Sequence, residues 1–395
     1  MQRLTSPGLA TGTASQLLQA LRSKFRFGAS LPQATPVDVA FCPELPTLLD
    51  EDTLRKVLAR APRKSGPGVS GGRYEHWQVL LGDEDAFHSF YLVVNALAHG
   101  AVPGGRLGAA AVGLLLGNLT PLRKGDADVR PLAAPETLRR LLGKALCVQY
   151  KERFSGGLAP EQCAVGLAGG SEVAQKTLSV FADCHQQHVL FKLDARNAYN
   201  EQWRSASVAT LSESFPELAG FCSLCYCRED VHSKYVFRCG TENFLVESDA
   251  GVDQGDSLAP VLFAFGVQRP ARALLTELRR QAGFLQGDKE VLVVLYLDDL
   301  YVFVPQELAS QVVPLAAAAL GDGLGSTTGC GLTLRTDKCA AWCPQGVRPD
   351  GLPPSLQWSV SPLVVLGSSL SEPDSLCEFL DVGVPVASQF GQTEH

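Results

Sequence analysis

Asp298 and Asp299 stand side by side in Val291–Pro305 (VLVVLYLDDLYVFVP), with seven hydrophobic or tyrosyl residues before the pair and five after it. Each flank is long enough for a β-strand, and Val, Leu, Tyr and Phe suit a pleated surface. A two-residue break between such runs reads as a tight hairpin with the acids at its tip, although Asp-Asp is a poorer turn pair than Asn-Gly or Asp-Gly. Two like charges at the tip of a buried hairpin repel each other and lose hydration, at a cost of several kcal/mol unless positive charge offsets it. One or two divalent cations on the carboxylate oxygens would do so. An exposed turn that happens to carry two acids is the alternative.

Two other segments could keep the pair company. Asp194, in FKLDARNAYN, closes a short apolar strand, His188–Leu193, from which its side chain can project at a sheet edge beside a hairpin tip. Three carboxylates can hold two Mg²⁺ ions about 3.5–4 Å apart, a geometry that suits displacement at phosphorus. The carbonyl of Ala195 would be a natural extra ligand. In DAGVDQGDSLAPVLFAF, Asp249–Phe265, Gly251 and Gly255 permit close backbone approach, and Asp256 or Ser257 can cap the helix that follows. Gln254 can hydrogen-bond a base or sugar edge without bringing charge.

The elements that must position these groups follow from periodicity. Residues 1–48 are rich in Gly, Ser, Thr and Pro and read as a loosely ordered leader with one helical pattern at Ala14–Phe25. A helix should start at Asp50-Glu51-Asp52, where acids suit the N-terminal dipole, and stop before Pro62. A Gly/Pro loop flanked by bases, RKSGPGVSGGRYEHW, leads to a helical stretch ending near His99. Pro135–Phe154 carries Leu138, Leu141, Leu142, Ala145 and Leu146 on one helical face. Lys234–Val246 reads as a hairpin turning near Gly240. Ser257–Gln281 reads as a helix with Pro260 in its first turn and Pro270 as a kink point. After the aspartate hairpin come a helix near Leu308–Leu320 and a strand-like Leu332–Trp342. Strand, helix, hairpin, helix, strand is the order of a ferredoxin-like α+β core.

Composition narrows the class. A hydrophobic fraction of 46% against 19% charged residues fits a globular chain with a substantial core. The start, MQRLTSPGLATGTASQ, lacks an apolar signal segment, and the longest apolar stretch, near Leu107–Leu116, is too short to span a membrane. An intracellular protein, nuclear or cytoplasmic, is therefore expected. Net charge is −7, yet Leu54–Trp77 carries a local +5 and Pro121–Arg153 a local +4, as a polyanion-binding metalloenzyme would need. Twelve cysteines point to free thiols in a reducing compartment. Cys222, Cys225 and Cys227, with Cys239 and the upstream Cys184, His185 and His188, offer zinc ligands, but their spacing lacks the paired pattern of zinc modules, so buried thiols are expected.

Taken in order, KLDARNAYN, GVDQGDSLAP and YLDD resemble motifs A, B and C of reverse transcriptases. VRPLAAPETLRRLLGKAL, SGPGVSGGRYEHW, GLTLRTDKCAAW and VVLGSSL resemble the finger, motif D and post-palm segments, and the style is that of non-LTR, LINE-like retrotransposon polymerases. The resemblance covers about Lys64–Leu370. It implies a right-hand polymerase: 1–48 leader, 49–185 fingers, 186–345 ferredoxin-like palm, 346–395 post-palm segment and tail, the thumb short or missing. It implies an RNA-directed DNA polymerase, a nucleotidyltransferase that extends a DNA primer on an RNA template with dNTPs and two Mg²⁺ ions, for which Mn²⁺ may substitute. Asp194, Asp298 and Asp299 would be its metal ligands and Tyr199 the ring that rejects a 2′-OH. Gln254, with Gly255, and the Ala195 backbone would contact the incoming nucleotide. Arg130 would hold its phosphates, and Lys338 would protonate the pyrophosphate leaving group. Asp253, Leu297 and Ser257-Leu258-Ala259-Pro260 depart from the usual pattern. A catalytically silent nucleic-acid-binding remnant is a second reading, and an RNA-directed RNA polymerase a third, which Tyr296, Leu297 and Tyr199 disfavour.

Overall fold

Helix α1 (Ala14–Arg22) starts at a reciprocal cap: the Thr13 hydroxyl accepts from the Gln16 backbone N–H, and the Gln16 carboxamide oxygen accepts from the Thr13 N–H. Its buried Leu17 and Leu21 join Leu119, Val129, Ala133, Tyr235, Phe237 and Val246 in one apolar cluster. This computed structural model describes residues 8–28, 31–32, 37, 39, 45–102, 113–124, 128–227 and 233–370. Residues 8–28 are thus a docked element and not the loose leader that composition suggests; two leucines one turn apart provide the stripe that anchors them. Much of the remaining leader, and everything after Leu370, lies outside the described residues.

Helix α2 (Glu51–Ala59) has the anticipated acidic start, Asp50 accepting from the Thr53 N–H, and α3 (Tyr74–Gln78) and α4 (Glu84–Ala98) follow the Gly/Pro loop. Next, β1 (Gly117–Lys124) and β2 (Asp128–Pro135) form an antiparallel hairpin that patterning misses, because Pro121, Pro131 and Pro135 read as loop residues. Pro121 and Pro131 lie opposite each other, so their missing N–H groups fall at one register position. The single helix expected over Pro135–Phe154 is two, α5 (Thr137–Gln149) and α6 (Lys151–Leu158), parted at Tyr150. Helix α7 (Gly170–Cys184) leads into β3 (His188–Leu193). Short α8 (Ala198–Glu201) and helices α9 (Arg204–Ser214) and α10 (Ala219–Tyr226) precede the expected hairpin of β4 (Ser233–Cys239) and β5 (Glu242–Ser248), which turns at Gly240. That hairpin does not join the sheet of β3, the strand that precedes it in sequence. β4 pairs with β1, giving a four-stranded sheet β2-β1-β4-β5.

Helix α11 (Ala259–Ala282), with Pro260 in its first turn and Pro270 inside, runs into β6 (Leu292–Tyr296) and β7 (Asp299–Pro305), then α12 (Ala309–Leu320). After the two-residue strands β8 (Gly323–Leu324) and β9 (Thr327–Thr328), the expected Leu332–Trp342 strand is regular only at β10 (Ala340–Trp342), beside which lies β11 (Gln357–Trp358). A last small ladder joins β12 (Val364–Val365) and β13 (Ser368–Ser369).

The second sheet has the order β11-β10-β3-β7-β6. β3 and β6 both run antiparallel to β7 and are therefore parallel to each other, the expected ferredoxin-like arrangement. Leu300 lies opposite Leu193 on one side and Leu295 on the other, so the C-terminal ends of β3 and β6 emerge abreast. Helices α9, α11 and α12 cover one face through a continuous core that includes Val208, Leu211, Leu262, Val267, Val302, Val304 and Val312. Burying such side chains contributes roughly 1.5–3 kcal/mol each. Among the described residues, no helix is long and apolar enough to cross a membrane.

Candidate active site

The parallel placement of β3 and β6 brings three acids together. Asp194 follows the last residue of β3, and Asp298 and Asp299 sit where β6 turns into β7. The turn differs from the one read in the sequence. Tyr296 pairs with Asp299, so Leu297 and Asp298 are the turn residues and Asp299 is the first residue of β7. Leu297 adopts φ +55°, a left-handed conformation that favours glycine and costs a branched side chain on the order of 1–3 kcal/mol. Its neighbours hold it there: the Leu297 N–H donates to Gln162 Oε1 at 3.0 Å, and its side chain packs against the main core. Glu161 and Cys163 bond Leu295 on the outer edge of β6, which fixes the approach to the turn. Sequence reasoning gave no signal for Gln162, whose partner lies 135 residues away.

Asp194 and Asp298 open into a cleft of about 440 Å³ whose wall also includes Ala195, Tyr199, Arg130, Gln254 and Lys338. Six of the eight anticipated site residues other than Asp298 therefore line the same cavity. Asp299 is not on that wall, but it lies close enough for Asp298 and Asp194 to raise its pKa. Gly255 sits behind Gln254, its N–H donating to the Ala133 carbonyl at 2.8 Å. Desolvation is the first cause lifting Asp298, opposed by its own backbone N–H and reinforced by Asp194, while Arg130 and Lys124 pull it down. For Asp299 the causes are desolvation and then Asp298. No cationic side chain among the described residues makes a direct ion pair with any of the three carboxylates. They form a concentrated, unneutralised negative site at the edge of a cleft, the donor set that hard divalent cations take.

Tyr199 forms the floor. Its ring stacks on Phe263 with centroids 4.5 Å apart and planes 5° from parallel, which fixes the ring as a rigid wall. The Gln254 loop is clamped on two sides. The Val252 N–H donates to the Tyr199 carbonyl at 2.7 Å, and the Gly255 bond ties the other side to β2, the strand that carries Arg130. A Cβ on Gly255 would stand 2.3 Å from the Ala133 oxygen, so Gly255→Ala must push β2 and the loop apart. We expect that variant to fold but to lose about 10²-fold in kcat/KM, the scale of an ångström-level misplacement; steady-state kinetics with unchanged kcat/KM would contradict the clamp.

Asp253, the acid that departs from the motif, has a structural reason. Arg139 of α5 places one Nη2 3.0 Å from Asp253 Oδ2 and 2.7 Å from Asp256 Oδ2, all three side chains almost wholly buried. Tyr235 donates to Asp253 at 2.6 Å and Tyr226 to Asp256 at 2.9 Å. Desolvation opposes the guanidinium charge, but the carboxylates, Asp256 first, outweigh it and hold Arg139 charged. Asp256 also accepts from the Leu258 N–H at 3.2 Å, so part of its anticipated capping role is present.

Six basic side chains line the cleft: Lys24, Lys124, Arg130, Arg196, Arg335 and Lys338. Lys24 pairs with Asp128, Arg196 with Glu201 and Arg335 with Asp337. Among the described residues Lys124, Arg130 and Lys338 have no such partner and remain available to a polyanion. Lys124 and Arg130 belong to a basic stretch visible in the sequence, whereas nothing there pointed to Lys24. Cys222, Cys225 and Cys227 are buried free thiols, Cys225 pushed up to about 12 and Cys227 to about 11 by burial.

The reverse transcriptase (RNA-dependent DNA polymerase) family model matches residues 122–370. The chain belongs to this family. The matched span holds all three aspartates, the Gln254 loop and Tyr199, and the mixed helix-and-sheet build of the chain is that of a right-hand polymerase. A 132 kDa protein of the retrotransposable element SLACS from Trypanosoma brucei gambiense is 26% identical over 279 residues, which covers 68% of this chain and 21% of that protein. Telomerase from Candida albicans, solved with a fragment of telomeric RNA, superposes with a TM-score of 0.42 at 14% identity over 69% of this chain and 49% of its own. Apo telomerase from Candida tropicalis gives 0.41 at 13% identity over 68% and 49%. The chain thus spans about a fifth of the retroelement protein and half of the telomerase chains.

Proposed function

We propose that this reverse-transcriptase chain is an RNA-directed DNA polymerase from a retrotransposon, extending a DNA primer on an RNA template with dNTPs. The observation that carries the reading is the convergence of Asp194 with the Asp298-Asp299 turn on a cleft whose lining also offers Lys124, Arg130 and Lys338, cations without an ion-pair partner among the described residues. Asp194, Asp298 and Asp299 would hold two Mg²⁺ ions, or Mn²⁺, with the Ala195 carbonyl as a further oxygen. When bound, such ions lower the pKa of the attacking hydroxyl and neutralise charge on the leaving oxygen. The protein's own part is positioning. Arg130 on β2 takes the triphosphate bidentately, and Lys338 lies on the same wall, placed to give a proton to departing pyrophosphate. Gln254 contacts the nucleotide edge, while Tyr199, immobilised on Phe263, fills the space a 2′-OH would need.

Primer extension on poly(A) with an oligo(dT) primer and Mg²⁺ or Mn²⁺ tests this directly. Salt-dependent binding of the primer–template without extension would put the silent-remnant reading in its place. Preference for rNTPs over dNTPs would make the protein an RNA polymerase. Tyr199→Ala is expected to keep dNTP incorporation measurable and to erode discrimination against rNTPs by roughly 10- to 100-fold, the scale of a lost pocket contact. A ratio of dNTP to rNTP efficiency equal to wild type would remove Tyr199 from this role.

A further inference from the structure

The palm sheet has a second cluster at its opposite end. β3 and β6 are parallel, so the end at which both begin lies roughly 20 Å from the aspartates, six strand residues at about 3.3 Å each. There His185, which caps α7, and His188, which opens β3, meet Asp288 from the loop before β6. One ligand atom from each of the three lies within 4.8 Å of the others. We propose that His185, His188 and Asp288 form a site for a zinc-class divalent cation that clips the start of β3 to the loop entering β6. The inference stands apart from the polymerase reading.

Three features support it. First, the ring of His188, 2% exposed, directs Nε2 at the Glu290 carbonyl at 3.0 Å; an Nε2–H donated there leaves the Nδ1 lone pair facing Asp288 Oδ2 at 3.9 Å. An imidazole oriented by a backbone carbonyl on one nitrogen, with the other free, is the usual arrangement around a metal-binding histidine. Second, His185 is held in place. Its backbone N–H donates to the Phe181 carbonyl, the His188 N–H donates to the His185 carbonyl, both at 2.9 Å, and the Phe181 ring lies 4.1 Å from the His185 ring. Its Nδ1 already touches Asp288 Oδ2. Third, the spacings bracket what a metal needs. Tetrahedral bonds of about 2.0–2.1 Å set ligand atoms about 3.3 Å apart. The ion would part His185 from Asp288 and draw in His188, with water completing the shell. Two imidazoles and one carboxylate select zinc-class ions over Mg²⁺, which prefers an all-oxygen shell. The sequence showed the two histidines, but their carboxylate partner is about 100 residues further along the chain.

The test uses the full chain stripped with chelator and kept in excess Mg²⁺ so that the catalytic carboxylates are occupied. Titration with Zn²⁺ against a chromogenic chelator should show one equivalent bound and a Tm raised by several degrees, and Co²⁺ should develop a visible d–d band. His185→Gln and Asp288→Asn, both at partly exposed positions and so safe for folding, should lower Zn²⁺ affinity at least about tenfold. Asp298→Asn should still bind its one equivalent. No uptake in Mg²⁺, equal uptake by His185→Gln and wild type, or loss of uptake in Asp298→Asn would each overturn the site, the first leaving a His185–Asp288 ion pair only and the last placing zinc among the catalytic acids.

Discussion

Asp298→Asn is expected to abolish primer extension while making the metal-free protein harder to unfold. In the proposed two-metal centre, loss of one of three carboxylates would remove several kcal/mol of transition-state stabilisation, so extension should fall about 10³-fold or more. The stability change has the opposite sign. Desolvation raises the folded-state pKa of Asp298 above its unfolded value, with the Asp194 charge adding to it, and Asp299 is raised by desolvation and by Asp298. A raised carboxyl binds more protons folded than unfolded, so its contribution is most favourable in acid and declines as pH climbs through the folded pKa. At neutral pH the ionised cluster is a standing cost that Asn at position 298 partly removes. Melts in chelator taken upward from the ordinary carboxylate pKa, near 3.8, should therefore show wild type losing stability relative to Asp298→Asn as pH rises. Adding Mg²⁺ should reverse the ranking, because ligand bound only to the native state stabilises wild type. A variant that melts below wild type in chelator at neutral pH would contradict the electrostatics of the three acids, and one that retains full extension would remove Asp298 from the centre.

The sheet that carries the acids was legible because its chemistry and its periodicity coincide: apolar strands that end in acids, in an order that a ferredoxin-like sheet folds abreast. What escaped the sequence was decided by long-range contacts. β1 and β2 are strands despite their prolines because Pro121 and Pro131 oppose each other and the hairpin is closed by pairing to β4, more than a hundred residues later. The aspartate turn is shifted by one residue because Gln162 and core packing hold Leu297 in a conformation its own preference opposes. Lys24 reaches the cleft only because Leu17 and Leu21 dock the first helix on the β2-β1-β4-β5 sheet. Asp253 departs from the usual motif pattern because Arg139, from another motif, supplies its charge partner.

That partnership makes Arg139→Leu the substitution with the largest expected effect on stability. It leaves Asp253 and Asp256 buried with no cation, and breaking a buried pair from one side costs about 3–5 kcal/mol. Arg139→Lys should recover little, because one Nη2 serves both acids and a lysine would have to place its ammonium at that same point. The diagnostic variant is the triple one, Arg139→Leu with Asp253→Asn and Asp256→Asn. Removing all three charges while leaving the Tyr235 and Tyr226 hydroxyls their acceptors should restore most of the loss seen in urea unfolding. If Arg139→Leu unfolds at the wild-type urea midpoint, the cluster does not hold the molecule together. The same measurement separates stability from function. Gln254 lies between Asp253 and Gly255, so the triple variant should fold yet show a raised KM for dNTP as the loop loses its anchor to α5. Recovery of stability together with a wild-type KM would mean that the Ala133 bond to Gly255 alone positions the loop.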